Sequence, residues 1–128
     1  MRRIATVTLV VPDYDAAIAF YVGTLGFDLL EDVDQGRKRW VRVSPSGDRG
    51  TALLLARAET DAQAAAVGGQ TGGRVGFFLE TDDFERDHAA MTSAGIVFEE
   101  PPRQEPYGTV AVWRDPWGNR WDLLQPAP

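Results

Sequence analysis

The chain has 128 residues, 13 Lys and Arg against 19 Asp and Glu for a formal charge of −6, and 44% hydrophobic with 25% charged residues. That is the composition of one folded domain; it excludes a disordered segment and leaves no room for a second full domain. The acidic balance disfavours nucleic acid and anionic membrane surfaces, and the absence of Cys excludes disulfides, thiolate metal sites and cysteine nucleophiles. Met1-Arg2-Arg3 opens straight into strand-like sequence and no apolar run approaches spanning length, so a cytoplasmic protein that meets a small molecule or another protein is expected.

Residues 4–11 are rich in β-branched types and alternate, with Val7, Leu9 and Val11 on one face and Thr6, Thr8 and Val10 on the other. The pattern predicts a strand. Pro12 stops it, Asp13 is a good N-cap, and Tyr14, Ala17, Ile18, Tyr21, Val22 and Leu25 follow at helical spacing up to Gly26. Strand signals return at 27–32, 39–43 and 51–56. Residues 59–73 turn to Ala, Gly, Gln and Thr and read as a linker with one helical turn around 62–67. A strand over 74–80, a helix capped by Asp83 and ending at Gly95, and strands at 96–99, 109–113 and 120–124 complete the chain.

The order β-α-β-β-β is thus written twice. Asp13-Tyr14 matches Asp83-Phe84, Leu25-Gly26-Phe27 matches Ala94-Gly95-Ile96, and Pro45-Ser46-Gly47-Asp48-Arg49 matches Pro116-Trp117-Gly118-Asn119-Arg120. A single domain built from module one (1–58), a linker (59–73) and module two (74–126) is expected. Modules this small cannot bury a sufficient core alone, which predicts cores shared between modules and a homodimer.

These residues resemble the vicinal oxygen chelate superfamily, which includes glyoxalase I, bleomycin-resistance proteins and extradiol dioxygenases. The carriers are Val7-Thr8-Leu9-Val10-Val11-Pro12-Asp13, Phe20-Tyr21, Leu25-Gly26-Phe27, Tyr107-Gly108 and the run from Arg114 to Leu123. The resemblance implies an α+β fold: two tandem βαβββ modules whose curved mixed sheets enclose a cup-shaped pocket, helices outside. In metal-dependent members, His, Gln or Glu ligands come from the first and last strands of each module, and the matching positions here are Thr6, Leu54, Arg74 and Asp122. Leu54 has no lone pair to offer and Arg74 would set a fixed cation at the metal position. The resemblance with this departure implies no metal or other cofactor, with an Arg74–Asp122 ion pair in the metal's place.

What remains is a supply of aromatic and polar groups for a small aromatic or planar ligand: Thr6, Thr8, Trp40, Arg42, Leu54, Arg74, Phe78, Tyr107, Trp113, Arg120 and Asp122. Trp121 and Phe77 fall on the core face by alternation. Arg42 beside Trp40 suits a carboxylate, although a solvated strand edge explains the cluster Arg37, Lys38, Arg39 and Arg42 more simply. The lone His88 reads as structural, and Glu99 and Glu100, adjacent in a strand, point to opposite faces. The second functional reading is a lyase, isomerase or dioxygenase that uses a divalent metal held by oxygen ligands or an acid–base step on Asp122. A third is a dimer with a filled core and no pocket.

Overall fold

The structure, a computed structural model, describes all 128 residues, and they divide into two compact units, Met1–Val67 and Gly68–Pro128. No helix is long and apolar enough to cross a membrane.

In the first unit, β1 (Thr6–Val11) runs through Pro12 into α1 (Tyr14–Ile18), and β2 (Asp28–Asp34), β3 (Arg39–Ser44), β4 (Ala52–Arg57) and the short α2 (Asp61–Ala66) follow. Asp13, in extended backbone, accepts the Ala16 N–H at 2.7 Å and so satisfies one of the unpaired donors of the first turn. Instead of one regular helix to Gly26, the chain widens into a π-helix over Ala19–Thr24, with the Leu25 N–H donating to Phe20 O at 2.8 Å. The change falls on Val22-Gly23-Thr24, three residues of low helix propensity, where the tighter ladder is least favoured.

The four strands stand in the order β1-β4-β3-β2, with β1 and β4 parallel and the other pairs antiparallel. Leu9, Val11, Val41, Val43 and Leu55 are fully buried on one face together with Ala17 and Tyr21 of the helical segment. Each such aliphatic side chain stabilises the unit by roughly 1.5–3 kcal/mol relative to exposure. Alternation then sets Thr8, Val10, Leu54, Ala56, Trp40, Arg42 and Glu31 on the opposite, open face.

The second unit holds β5 (Phe77–Glu80), α3 (Phe84–Ser93), β6 (Val97–Phe98), β7 (Arg103–Glu105), β8 (Gly108–Arg114) and β9 (Arg120–Pro126), with sheet order β5-β9-β8-β6 and β7 also on β8. The strand at 103–105 was not foreseen. β6 and β7 are one edge strand interrupted at Pro101-Pro102, because both lie along β8 and the Glu99 N–H still donates to Val112 O at 2.8 Å. Proline has no N–H to give the ladder. At the gap the Glu100 carboxylate accepts the Val112 N–H at 3.0 Å, replacing the missing main-chain acceptor. Counted as one strand, the pair restores the repeated β-α-β-β-β order, and the curved mixed sheets are those of the expected α+β class.

Two turns share a conformational demand as well as a sequence. Gly47 (φ 62°) and Gly118 (φ 101°) both take the left-handed region in the connections β3–β4 and β8–β9, which an L side chain resists. In the second unit the turn is locked by Asp115, whose Oδ1 accepts the N–H groups of Trp117 (3.0 Å) and Asn119 (2.9 Å) while Oδ2 accepts from the Asn119 amide (2.6 Å). Trp121 is buried as expected, stacked on Phe77 at 4.8 Å. His88 is structural too, lying between the rings of Phe84 (5.5 Å) and Phe98 (4.4 Å).

Candidate functional site

On the open face of the first unit, three of the residues singled out from sequence come together: Thr8, Trp40 and Leu54 line one cavity of about 250 Å³, with Val10, Ala56, Lys38, Arg39, Arg57 and Gln63 among its other walls. Trp40 keeps 37% of its surface exposed. Thr6 and Arg42 serve each other instead, since the Arg42 Nε donates to Thr6 Oγ1 at 3.2 Å and its Nη1 to the Glu31 carboxylate. A guanidinium so engaged has little left for a ligand. Arg39 is engaged as well, bidentate to Asp32 (3.1 and 2.7 Å) and bonded to Asp15 (2.8 Å). Those bonds raise its pKa and lower that of Asp32.

The open face of the second unit carries Phe78 and Asp122 as ladder partners on β5 and β9. Phe78 is 62% exposed, unusual for a phenyl ring in a strand, while the Asp122 Oδ1 is buried with no hydrogen-bond partner. Around them lies a charged cluster. Glu99 accepts from Arg120 (2.8 and 3.0 Å) and Arg114 (2.8 Å), and Glu100 from Arg103 (2.8 Å). Arg120 also donates to Gly73 O at 2.9 Å. Glu99 and Glu100 therefore belong to one cluster, not to opposite faces, because the strand breaks beside them. Each is held below the ordinary carboxylate range, Glu99 by Arg120 and Arg114, Glu100 by Arg103 and the Val112 N–H.

Two assignments from sequence need correction. Arg74 forms no pair with Asp122: it lies in the bend before β5, exposed, and the register sets Phe78 opposite the carboxylate. Trp113 is no wall of an open face: it has 0% exposure and stacks on Trp121 at 5.0 Å, on the helix side. Tyr107, in the turn between β7 and β8, is 53% exposed. Arg103 was missed altogether. The signal that could have found it is the Pro101-Pro102 break followed by Tyr107-Gly108, which frames a short strand and hairpin.

Burial raises the Asp122 pKa above its ordinary value, opposed by Arg103, reinforced by Glu100 and opposed again by Arg120. The folded chain thus holds this proton more tightly than the unfolded chain. The contribution of this one group to stability is fully present below the ordinary carboxylate range and is lost as pH rises through the raised value. Asp122→Asn is expected to raise the melting temperature by a few degrees at neutral pH and to change little where the native carboxyl is protonated. Melts from acid to neutral pH check this, and a variant less stable at neutral pH would contradict it.

Register shows what the first and last strands of each unit, paired side by side, offer a metal ion. Thr8 faces Leu54 in the first unit as Phe78 faces Asp122 in the second. A hydroxyl, an isobutyl group and a phenyl ring supply one weak donor between them, so with a single carboxylate this set does not fit a divalent cation. Nowhere do three His, Asp or Glu side chains converge.

Two units, each a helix on one face of a curved four-strand-wide mixed sheet with an open face opposite, define the paired-module class. The chain belongs to the Glyoxalase/Bleomycin resistance protein/Dioxygenase superfamily, whose family profile matches residues 3–123. It is 56% identical over 126 residues to an uncharacterized protein of Shewanella frigidimarina (strain NCIMB 400), covering 97% of this chain and 93% of the relative. Among solved structures it is similar to UcmS2, with 29% identity, a TM-score of 0.83 and coverage of 97% and 98% of the two chains. It is also similar to TnmS3, described as an antibiotic binding protein from Streptomyces sp. CB03234, with 32% identity, a TM-score of 0.80 and coverage of 99% and 98%.

Proposed function

We propose that this protein binds a small planar or aromatic molecule on the open faces of its sheets, as a homodimer and without a metal ion. The observation that carries the reading is the pair on β5 and β9: a Phe78 ring 62% exposed beside a carboxylate oxygen of Asp122 that has no partner. The open ring gains when a planar ligand covers it, and the unsatisfied Asp122 oxygen, itself closed off from the surface, gains when its carboxyl turns to meet a hydrogen-bond donor of that ligand. Similarity to an antibiotic binding protein over nearly the whole chain supports the same reading.

The test is a panel of planar antibiotics and aromatic acids followed by tryptophan fluorescence and melting temperature, with light scattering on the same samples for the dimer. Phe78→Ala is expected to weaken a binder about tenfold, the loss of one stacking contact, with the melting temperature of the free protein little changed. A panel that moves neither signal, or a binder indifferent to Phe78→Ala, would overturn the proposal.

The burial-raised pKa of Asp122 favours a second reading, an enzyme of the same superfamily in which this carboxyl exchanges a proton with substrate. In that case Asp122→Asn abolishes turnover of a substrate it still binds; turnover surviving the substitution would remove this reading.

A further inference from the structure

The cavity of the first unit differs in charge from the rest of the chain. Lys38, Arg39 and Arg57 line it against one carboxylate, Glu59, in a protein of formal charge −6. The three cations are not equally available. Arg39 is consumed by Asp32 and Asp15. Arg57 donates to Arg37 O at 3.0 Å, meets Glu59 only at 3.8 Å, and has its guanidinium carbon 5.2 Å from the centroid of the Tyr14 ring, which holds it in place. Lys38 has no carboxylate within ion-pair range. It stands in the bend just before β3, two residues ahead of Trp40, and both side chains line the cavity.

We infer that this cavity takes an aromatic acid: a ring against Trp40 and the apolar wall of Thr8, Val10 and Leu54, with its carboxylate or sulfonate held by Lys38 and seconded by Arg57. The inference rests on the small-molecule reading above and adds the charge of the ligand and the residues that read it. Arg42, the carboxylate reader suggested by sequence, is excluded because Glu31 and Thr6 already occupy it. A volume of about 250 Å³ lies just below the range of drug-sized sites, so the cavity suits one or two fused rings, or the acidic end of a larger molecule.

Two fluorescent probes with the same aromatic frame provide the test: anilinonaphthalene sulfonate and its uncharged parent, phenylnaphthylamine. The wild-type chain is expected to bind the sulfonate about tenfold more tightly, the scale of one charge-assisted contact, and added salt should weaken the sulfonate alone. Lys38→Met, at an exposed position that holds no ion pair, is expected to erase most of that preference, and Lys38→Met with Arg57→Gln the rest, the amine unaffected throughout. Melting curves of the variants separate lost contacts from lost folding. Equal binding of the two probes, or a preference that survives the double variant, would overturn the inference while leaving small-molecule binding intact. If neither probe bound, the inference would fall too, while the parent reading would be decided by the ligand panel and Phe78→Ala.

Discussion

Trp113→Ala is expected to destabilise the protein by about 3–5 kcal/mol, the range for removing a large aromatic side chain from a close-packed core. The indole has 0% exposure, so its removal leaves a void that neighbouring strands cannot fill without breaking their ladder. It also ends a stack, because Trp113 lies 5.0 Å from Trp121 at an interplanar angle of 20°, and Trp121 lies 4.8 Å from Phe77 at 26°. The three rings cross β8, β9 and β5 in ladder order, so the helix side of the second sheet is tied together through them. Stacked pairs of this kind add roughly 0.5–1.5 kcal/mol beyond burial. Urea unfolding followed by far-UV circular dichroism checks the value, with Trp40→Ala as the comparison. Trp40 is 37% exposed, so its truncation is expected to cost under about 1 kcal/mol. Equal losses at the two positions would show that the buried stack is not what holds the second unit.

That contrast explains where the sequence was readable and where it was not. Element order came through because it is local: apolar periodicity, Asp13 and Asp83 as caps, and a Pro-x-Gly-x-Arg turn in each half all act within a few residues. Faces of long alternating strands came through for the same reason, as Trp121 and Phe77 show. Trp113 did not. It follows Val110, Ala111 and Val112, all buried whichever way they point, and a continuous apolar run carries no alternation to assign a face. Arg74 failed differently. Alternation was carried back from Phe78 through Gly76 to a position that is outside the strand, with the Gly76 N–H spent on Arg120 O at 3.1 Å. The repeat itself held the correction: the spacing from Asp13 to Asp83, applied to Thr8, lands on Phe78, the residue that does face Asp122. Charge pairing was the least readable layer. Arg42, Arg39 and Arg120 find their carboxylates across strands, and only the register of the folded sheet decides which guanidinium is left for a ligand.

The most recognisable stretch of the chain, from Arg114 to Leu123, is recognisable for folding rather than for chemistry, and Asp115→Ala measures how much it contributes. Asp115 and Asn119 are 4% and 3% exposed. One Asp115 carboxylate organises the turn by accepting the Trp117 N–H, the Asn119 N–H and the Asn119 amide, while the main chain closes it with Asp115 N–H to Asn119 O at 3.0 Å and Gly118 N–H to Asp115 O at 3.1 Å. Removing the carboxylate strands buried donors, each costing about 1–3 kcal/mol, so a loss of about 2–4 kcal/mol is expected after partial relaxation. Asp115→Asn keeps an acceptor for the two main-chain N–H groups and should cost less than half as much, since a flipped Asn119 amide can accept from the new one. Urea unfolding of both variants gives the comparison. If they lose equal stability, the charge of Asp115 and not its hydrogen-bond geometry sets the turn; if neither loses any, the turn is carried by Gly118 and the main chain alone. The expected ordering would show that the family's signature motif fixes the β8–β9 hairpin. It thereby fixes the register that sets Asp122 opposite Val112, and the motif would be linked to the site through folding without contributing an atom to it.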